Sequence, residues 1–267
     1  MLFHFALSSL ILALLATGIT YSGWLRVRSR VLQSDEFRFS SASVHVTETP
    51  AWVPKTIVND VISDFNAGRD SQEMLIDGKL LKELDSAFRA YHWVESVERV
   101  RASFPATVTI DLTYRTPICM VLLPNESGAY AIDRHGVYLS SDYFVRNPEI
   151  DVNSYIKVSG VSSTPGGNIG ETWGDPVVEQ AAALAAHLSP DSGFLQIASI
   201  RVETTGTNRY NTRHLYYLST LRGTEIIWGE MPLAQDDMRK ERLLQLLRQY
   251  GSLDKAPLNT NNVIDVR

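Results

Sequence analysis

A chain of 267 residues with 44 % hydrophobic and 21 % charged content has the makeup of a folded protein of one large domain or two small ones. Its net charge of −5 argues against a general nucleic-acid binder, which needs a basic face to displace counterions from phosphates. The single cysteine, Cys119, excludes an internal disulfide and a cysteine-rich zinc site, and reads as a small buried hydrophobe.

The N-terminus bears on the compartment. Residues 2–25 contain no Asp, Glu, Lys or Arg, and residues 5–19 are Leu, Ala, Ile and Phe with small residues between them. About 20 apolar residues span a bilayer as a helix. Tyr21 and Trp24 stand at the far end, where aromatic rings favour the headgroup layer, and Arg26, Arg28 and Arg30 follow at once. A cleaved signal peptide has a basic start and a short apolar run. Here the run is long and the basic start is missing, so the expectation is a retained transmembrane anchor over residues 1–25 and a polar connector over 26–36. The flanking arginines favour a cytoplasmic domain, yet large domains translocate largely regardless of flank charge. A basic tail upstream of Met1 would tip the balance outward, and the charges alone leave the orientation open.

Past the connector, Phe37, Phe39, Val44 and Val46 suggest a short strand. Pro54 opens a helix with Ile57, Val58, Val61, Ile62 and Phe65 on one face. Polar residues 66–73, with Gly68, form a loop. Asp77 is an N-cap for a second helix whose Leu80, Leu81, Leu84, Ala87, Phe88 and Tyr91 recur at three and four, and which ends at Trp93 and Val94. Two strands follow, residues 97–101 and the alternating run Val108, Ile110, Leu112, with Phe104-Pro105 as the turn. The order strand, helix, helix, strand, strand predicts a small sheet with both helices on one face.

A new unit begins near Cys119. Tyr130 and Ile132, then Val137 and Leu139, flank Asp133-Arg134-His135-Gly136, which reads as a hairpin turn. Residues 155–158 form another strand, and the Gly-, Ser-, Thr- and Pro-rich residues 162–174 a loop. Asp175 and Pro176 fit the N-cap and first position of an alanine-rich helix reaching Leu188. Residues 197–202 alternate again. Residues 214–228 read as a second hairpin turning at Arg222-Gly223. Asp236 and Asp237 start a last helix, with Leu243, Leu246, Leu247 and Tyr250 as its apolar stripe, and Gly251 ends it. Residues 263–267 read as a terminal strand.

Certain motifs, in this order, resemble a known family. Trp93-Val94-Glu95-Ser96-Val97, Phe104-Pro105 and Tyr114-Arg115-Thr116-Pro117-Ile118 look like a POTRA module of the kind found in the FtsQ/DivIB division proteins. The Asp133 to Gly136 hairpin, the strand–Gly–strand of Leu215 to Gly229 and the closing Ile264-Asp265-Val266-Arg267 are similar to that family's β domain. Tyr114 stands where the family usually has Glu, the interval from Trp93 to Pro105 is about one residue longer, and the first strand lacks the family's glycine turn. The resemblance implies an α+β protein: an N-terminal transmembrane helix, a POTRA-like β-α-α-β-β module over 37–118, then a mostly antiparallel β domain with flanking helices over 119–267. It implies a non-enzymatic scaffold in the cell inner membrane, with the bulk of the chain in the periplasm or its equivalent. Such a scaffold takes no cofactor, small-molecule substrate or nucleic acid, and recruits the single-pass proteins FtsL and FtsB (DivIC) to the division site.

An exposed edge strand carries unpaired N–H and C=O groups that a partner strand can satisfy. The candidate partner-binding residues are therefore Val263, Ile264, Asp265, Val266 and Arg267, with Leu243, Leu247 and Tyr250 of the preceding helix beside them. The plainer alternative is that both elements only complete the sheet and the core. The edge reading predicts that a charge at Val263 or Ile264 weakens partner capture and leaves the fold intact.

The sequence shows no HExxH, GxSxG, Walker loop or GxGxxG motif, and its six histidines have no metal-ligand spacing. Two other readings stay on the table. One is a POTRA-bearing protein of export or outer-membrane assembly that binds clients by strand addition. The other is an extracytoplasmic enzyme with an unfamiliar site, which a pocket of perturbed acids or histidines would reveal.

Overall fold

Apolar residues spaced by two or by three and four sort the chain into strands and helices in the computed structural model, which describes residues 17–24, 39, 41–67, 78–103, 107–123, 128–140, 143, 147–206, 212–231 and 235–267. Most of the expected anchor and all of the connector lie outside these residues. Residues 17–24, the end of the anchor, are helical. Among the described residues no helix is long and apolar enough to cross a membrane.

The chain divides into two compact units. One comprises Met1–Glu48, Lys55–Arg89 and Ser96–Thr113; the other comprises Thr49–Pro54, Ala90–Glu95 and Tyr114–Arg267.

The first unit runs β1 (Val44–Val46), α1 (Ile57–Asn66), α2 (Gly78–Ala90), β2 (Val94–Ser103, entering from the other unit) and β3 (Thr107–Tyr114). The strands form one sheet in the order β1-β3-β2, with β1 parallel to β3 and Val44 opposite Val108. Ile57, Val61 and Ile62 of α1 and Leu80, Leu84 and Phe88 of α2 are buried, as their spacing requires, with Val108, Ile110 and Leu112 of β3. Each such side chain contributes about 1.5–3 kcal/mol by leaving water. Phe39 is buried and meets the edge of the Phe65 ring at 6.3 Å. Arg89 bonds Asp85 one turn back at 2.8 Å and reaches the Val97 carbonyl at 2.6 Å, tying the end of α2 to β2. The cap at Asp77 and the Phe104-Pro105 turn lie outside the described residues. Helix α2 stops at Ala90, short of the expected Trp93 and Val94. The chain turns there, the Val94 amide bonds the Tyr91 carbonyl at 2.9 Å, and Val94 already belongs to β2.

The second unit holds β4 (Pro117–Leu122), β5 (Ala129–Asp133), β6 (Tyr138–Leu139) and β7 (Ile156–Ser159). It continues with α3 (Pro176–Leu188), α4 (Ser192–Leu195), β8 (Ile197–Thr205), β9 (Arg213–Thr220), β10 (Glu225–Glu230), α5 (Asp236–Tyr250) and β11 (Ile264–Asp265). All eight strands form one sheet in the order β11-β10-β9-β8-β7-β4-β5-β6. Both expected hairpins are present: β5 pairs antiparallel with β6, and β9 with β10. Asp175 caps α3 by accepting from the Val177 amide, and Gly251 ends α5 in the left-handed conformation.

The sheet is mixed: four of its seven strand pairings are antiparallel, while β4 with β7, β7 with β8, and β10 with β11 are parallel. Adjacent parallel strands need a crossover, and helices supply two of the three. Helix α3 lies between β7 and β8 in the chain, and α5 between β10 and β11. The segments read as flanking helices are the connections that make their strands parallel. Ala181, Ala182 and Ala185 of α3 are fully buried with Val158, Ile200 and Leu218 of the sheet, and Trp228 and Leu243 extend the same core toward α5.

Two points of this unit are tight. Asp133, 2 % exposed, accepts from the His135 amide at 2.8 Å and the Val137 amide at 2.9 Å, and pairs with the Arg115 guanidinium at 2.7 Å. Gly160, just after β7, has φ +82, and a Cβ there would stand 2.0 Å from the Val202 carbonyl oxygen of β8. A methyl at that place forces backbone apart at a positive φ. Gly160→Ala should therefore lower stability by about 2–4 kcal/mol, read as a drop in the urea midpoint with an unchanged slope.

Candidate partner-binding edge

A sheet of eight strands has two rims, and an uncovered rim is a template for another strand. At one rim β6 is covered from within. The outward N–H of Tyr138 bonds the Glu171 carbonyl at 2.9 Å, and its C=O accepts from the Gly170 amide at 2.8 Å. The loop that makes these bonds is held by Trp173, which is buried, donates to Ser163 Oγ at 3.0 Å and packs edge-on against Tyr130 and Tyr138. The glycine- and serine-rich stretch thus serves as a cover for β6.

At the other rim lies β11, which pairs with β10 through Ile226 opposite Ile264 and Ile227 opposite Asp265. The Val266 amide donates to the Ile227 carbonyl at 3.3 Å. In a parallel ladder successive residues face alternate sides. Ile264 and the Val266 amide therefore face β10, while the N–H and C=O of Val263, Asp265 and Arg267 face away from the sheet. Helix α5 holds this strand from below: Arg242 donates to the Val266 carbonyl at 2.8 Å and also to the Arg267 carbonyl.

Each candidate residue can now be placed. Asp265 and Arg267 are exposed, whereas Val263, Ile264 and Val266 are buried. Leu243 is fully buried, and Leu247 and Tyr250 are half-buried against the same core, so their stripe is a packing face. The structure brings α5 and β11 together as expected, but only the strand turns backbone outward. The regular strand is also shorter than the 263–267 read from sequence. One expectation is corrected: a charge at Val263 or Ile264 cannot leave the fold intact, because both side chains are buried. An unpaired carboxylate there costs more than partner contacts could reveal.

Charge gathers around the strand. The Arg267 guanidinium clasps the Asp265 carboxylate at 2.5 Å, and this bond holds the Asp265 carboxyl below the usual carboxylate range. Arg239 is 6 % exposed, its Nε has no hydrogen-bond partner, and its guanidinium sits 6.0 Å from the Trp228 ring. Burial lowers its pKa from the ordinary arginine value. Three residues at this rim went unnoticed in the sequence. They are Arg239, Arg242 and Asn259. The run Asn259-Thr260-Asn261-Asn262 did carry a signal, since Asn side chains bond the backbone two residues on.

The remaining chemistry-bearing side chains are spread through the fold. Cys119 is fully buried, and burial pushes its thiol up to about 12. Asp254 accepts from Thr220 and Thr224 and is held below the usual carboxylate range by these bonds. Among the described residues no group of three or more His, Cys, Asp or Glu side chains is placed to hold a metal ion.

Fold and rim define an α+β domain with one short strand open at the border of a mixed sheet. Residues 121–267 match the family described as cell division protein FtsQ/DivIB, C-terminal, and the chain belongs to that family: it is a cell-division protein. No curated protein matches it.

Val263→Glu should lower stability by roughly 2–4 kcal/mol, measured by urea unfolding, whereas Asp265→Asn, on the exposed side, should change it by less than about 1 kcal/mol.

Proposed function

We propose that this chain is a membrane-anchored, non-enzymatic division scaffold. Its two units stand on the extracytoplasmic side, in the periplasm or its equivalent. It recruits single-pass partners of the FtsL/FtsB (DivIC) type by adding a strand of theirs to β11. Residues 37–118 act as a POTRA-like module, a reading supported by the order β1, α1, α2, β2, β3. The apolar residues 2–25 serve as the anchor.

The observation that carries this reading is the asymmetry of the eight-stranded sheet. Both outward backbone groups of Tyr138 on β6 are bonded by the chain's own loop. The outward N–H and C=O of Asp265 on β11 have no bond from any described residue. Proteins close or blunt sheet rims to avoid adventitious pairing, so a rim left open at one strand is a place where pairing is used. Family membership supports partners drawn from the division machinery.

The test is a residue that blocks pairing and spares the core. Proline is tolerated where the N–H it removes faces solvent. Asp265→Pro in the full-length, membrane-anchored chain should abolish cross-linked capture of small single-pass coiled-coil proteins from its own cells, with the urea midpoint nearly unchanged. Undiminished capture would remove β11 from the account. Recovery of outer-membrane barrels or export clients in place of division proteins would reject the division-partner reading itself.

A further inference from the structure

The outward side of β11 is not a bare row of donors and acceptors. The Val263 amide donates to Asn259 Oδ1 at 3.2 Å, and the Val263 carbonyl accepts from the Asn259 amide at 2.9 Å. Asn259 Oδ1 also accepts from the Asn261 amide, and Asn262 closes the turn in the left-handed conformation at φ 65. Two residues further on, the Arg267 amide donates to Asp265 Oδ1 at 3.1 Å. The three outward-facing residues thus divide into a capped one, an open one and a capped one.

We propose that Asn259 and Asp265 are gatekeepers of this rim: their side chains occupy hydrogen-bonding positions that an added strand would use, and so set the register and strength of strand addition. The inference rests on the proposed function, in which strand addition at β11 recruits the partner. A visiting strand can bond the Asp265 N–H and C=O at once. To extend toward Arg267 it must put its own carbonyl in place of Asp265 Oδ1. To extend toward Val263 it must open the Asn259 turn. The clasp between Asp265 and Arg267 makes the first replacement the harder, because a carboxylate held by a guanidinium is a stronger cap than a neutral amide.

Two measurements on the full-length chain in lipid nanodiscs test this. The first is amide hydrogen exchange resolved to single residues. In the wild type the amides of Val263 and Arg267 should be protected and that of Asp265 open. Asp265→Ala should speed exchange at Arg267 at least tenfold and leave Val263 unchanged, and Asn259→Ala should do the reverse. The second is affinity for the soluble extracytoplasmic segment of the FtsB-like protein from the same cells. Removing a cap worth one net hydrogen bond should tighten binding about 3- to 10-fold in Asp265→Ala, whereas Asp265→Pro should weaken it. Unaltered Arg267 exchange in Asp265→Ala, or weaker binding by that variant, overturns the gatekeeping role. If neither wild type nor Asp265→Ala binds the segment, the recruitment reading fails, and the exchange rates alone decide whether the caps exist.

Discussion

A buried carboxylate must be satisfied or it destabilises the chain that holds it, and the second unit is arranged around one such group. Asp133 is 2 % exposed and receives three donors: the amides of His135 and Val137 and the guanidinium of Arg115. Removing one partner of a buried pair of this kind typically costs about 3–5 kcal/mol. The two amide bonds shape the turn between β5 and β6. Gly136 completes that turn at φ +74, where a Cβ would stand 2.7 Å from the Glu179 side chain of α3. The pairing with Arg115 fixes the start of β4. There the Arg115 amide donates to the Trp93 carbonyl, and its own carbonyl accepts from Trp52 Nε1 at 3.0 Å. Segments 49–54 and 90–95 thereby belong to the second unit although they lie far upstream in sequence.

The position of the turn has a consequence at the rim. With β6 fixed beside β5, Tyr138 faces the loop at 170–173, and that loop closes one border of the sheet. The other border ends on β11, a strand of two residues anchored by the buried side chains of Ile264 and Val266 and by the Arg242 bonds. A short rim strand with charged residues is the usual defence against unwanted pairing. Here the same features leave one residue accessible, which is what a regulated docking strand needs. The energy of such docking comes from backbone bonds that are individually modest, so small changes in the caps shift affinity measurably.

Much of this was legible in the sequence. Asp133 and Gly136 marked a hairpin, Asp175-Pro176 a helix start, and Gly251 a helix end, because each is local chemistry that neighbours do not override. The alternation in residues 197–202 and the apolar stripes of α1 and α2 announced their buried faces. The three parallel pairings within the mixed sheet were not anticipated because parallel pairing is a property of connections: the strand-helix-strand order around α3 and α5 held part of the answer. The partner-binding candidates were named without their burial for a related reason. A five-residue apolar-and-charged strand gives no hint of which side chains are buried, and only the folded chain separates the buried Val263, Ile264 and Val266 from the exposed Asp265 and Arg267. The caps on the rim were hidden because they depend on side chains two and four residues from their targets.

The central claim is that β11, and not β6, is the rim that meets the division machinery. Its most direct measurement is site-specific photo-cross-linking in living cells, with the cross-linking side chain placed at Asp265 in one strain and at Tyr138 in another. The account predicts adducts with small single-pass division proteins from position 265 and none from position 138. Adducts from both positions alike, or from 138 alone, would contradict it.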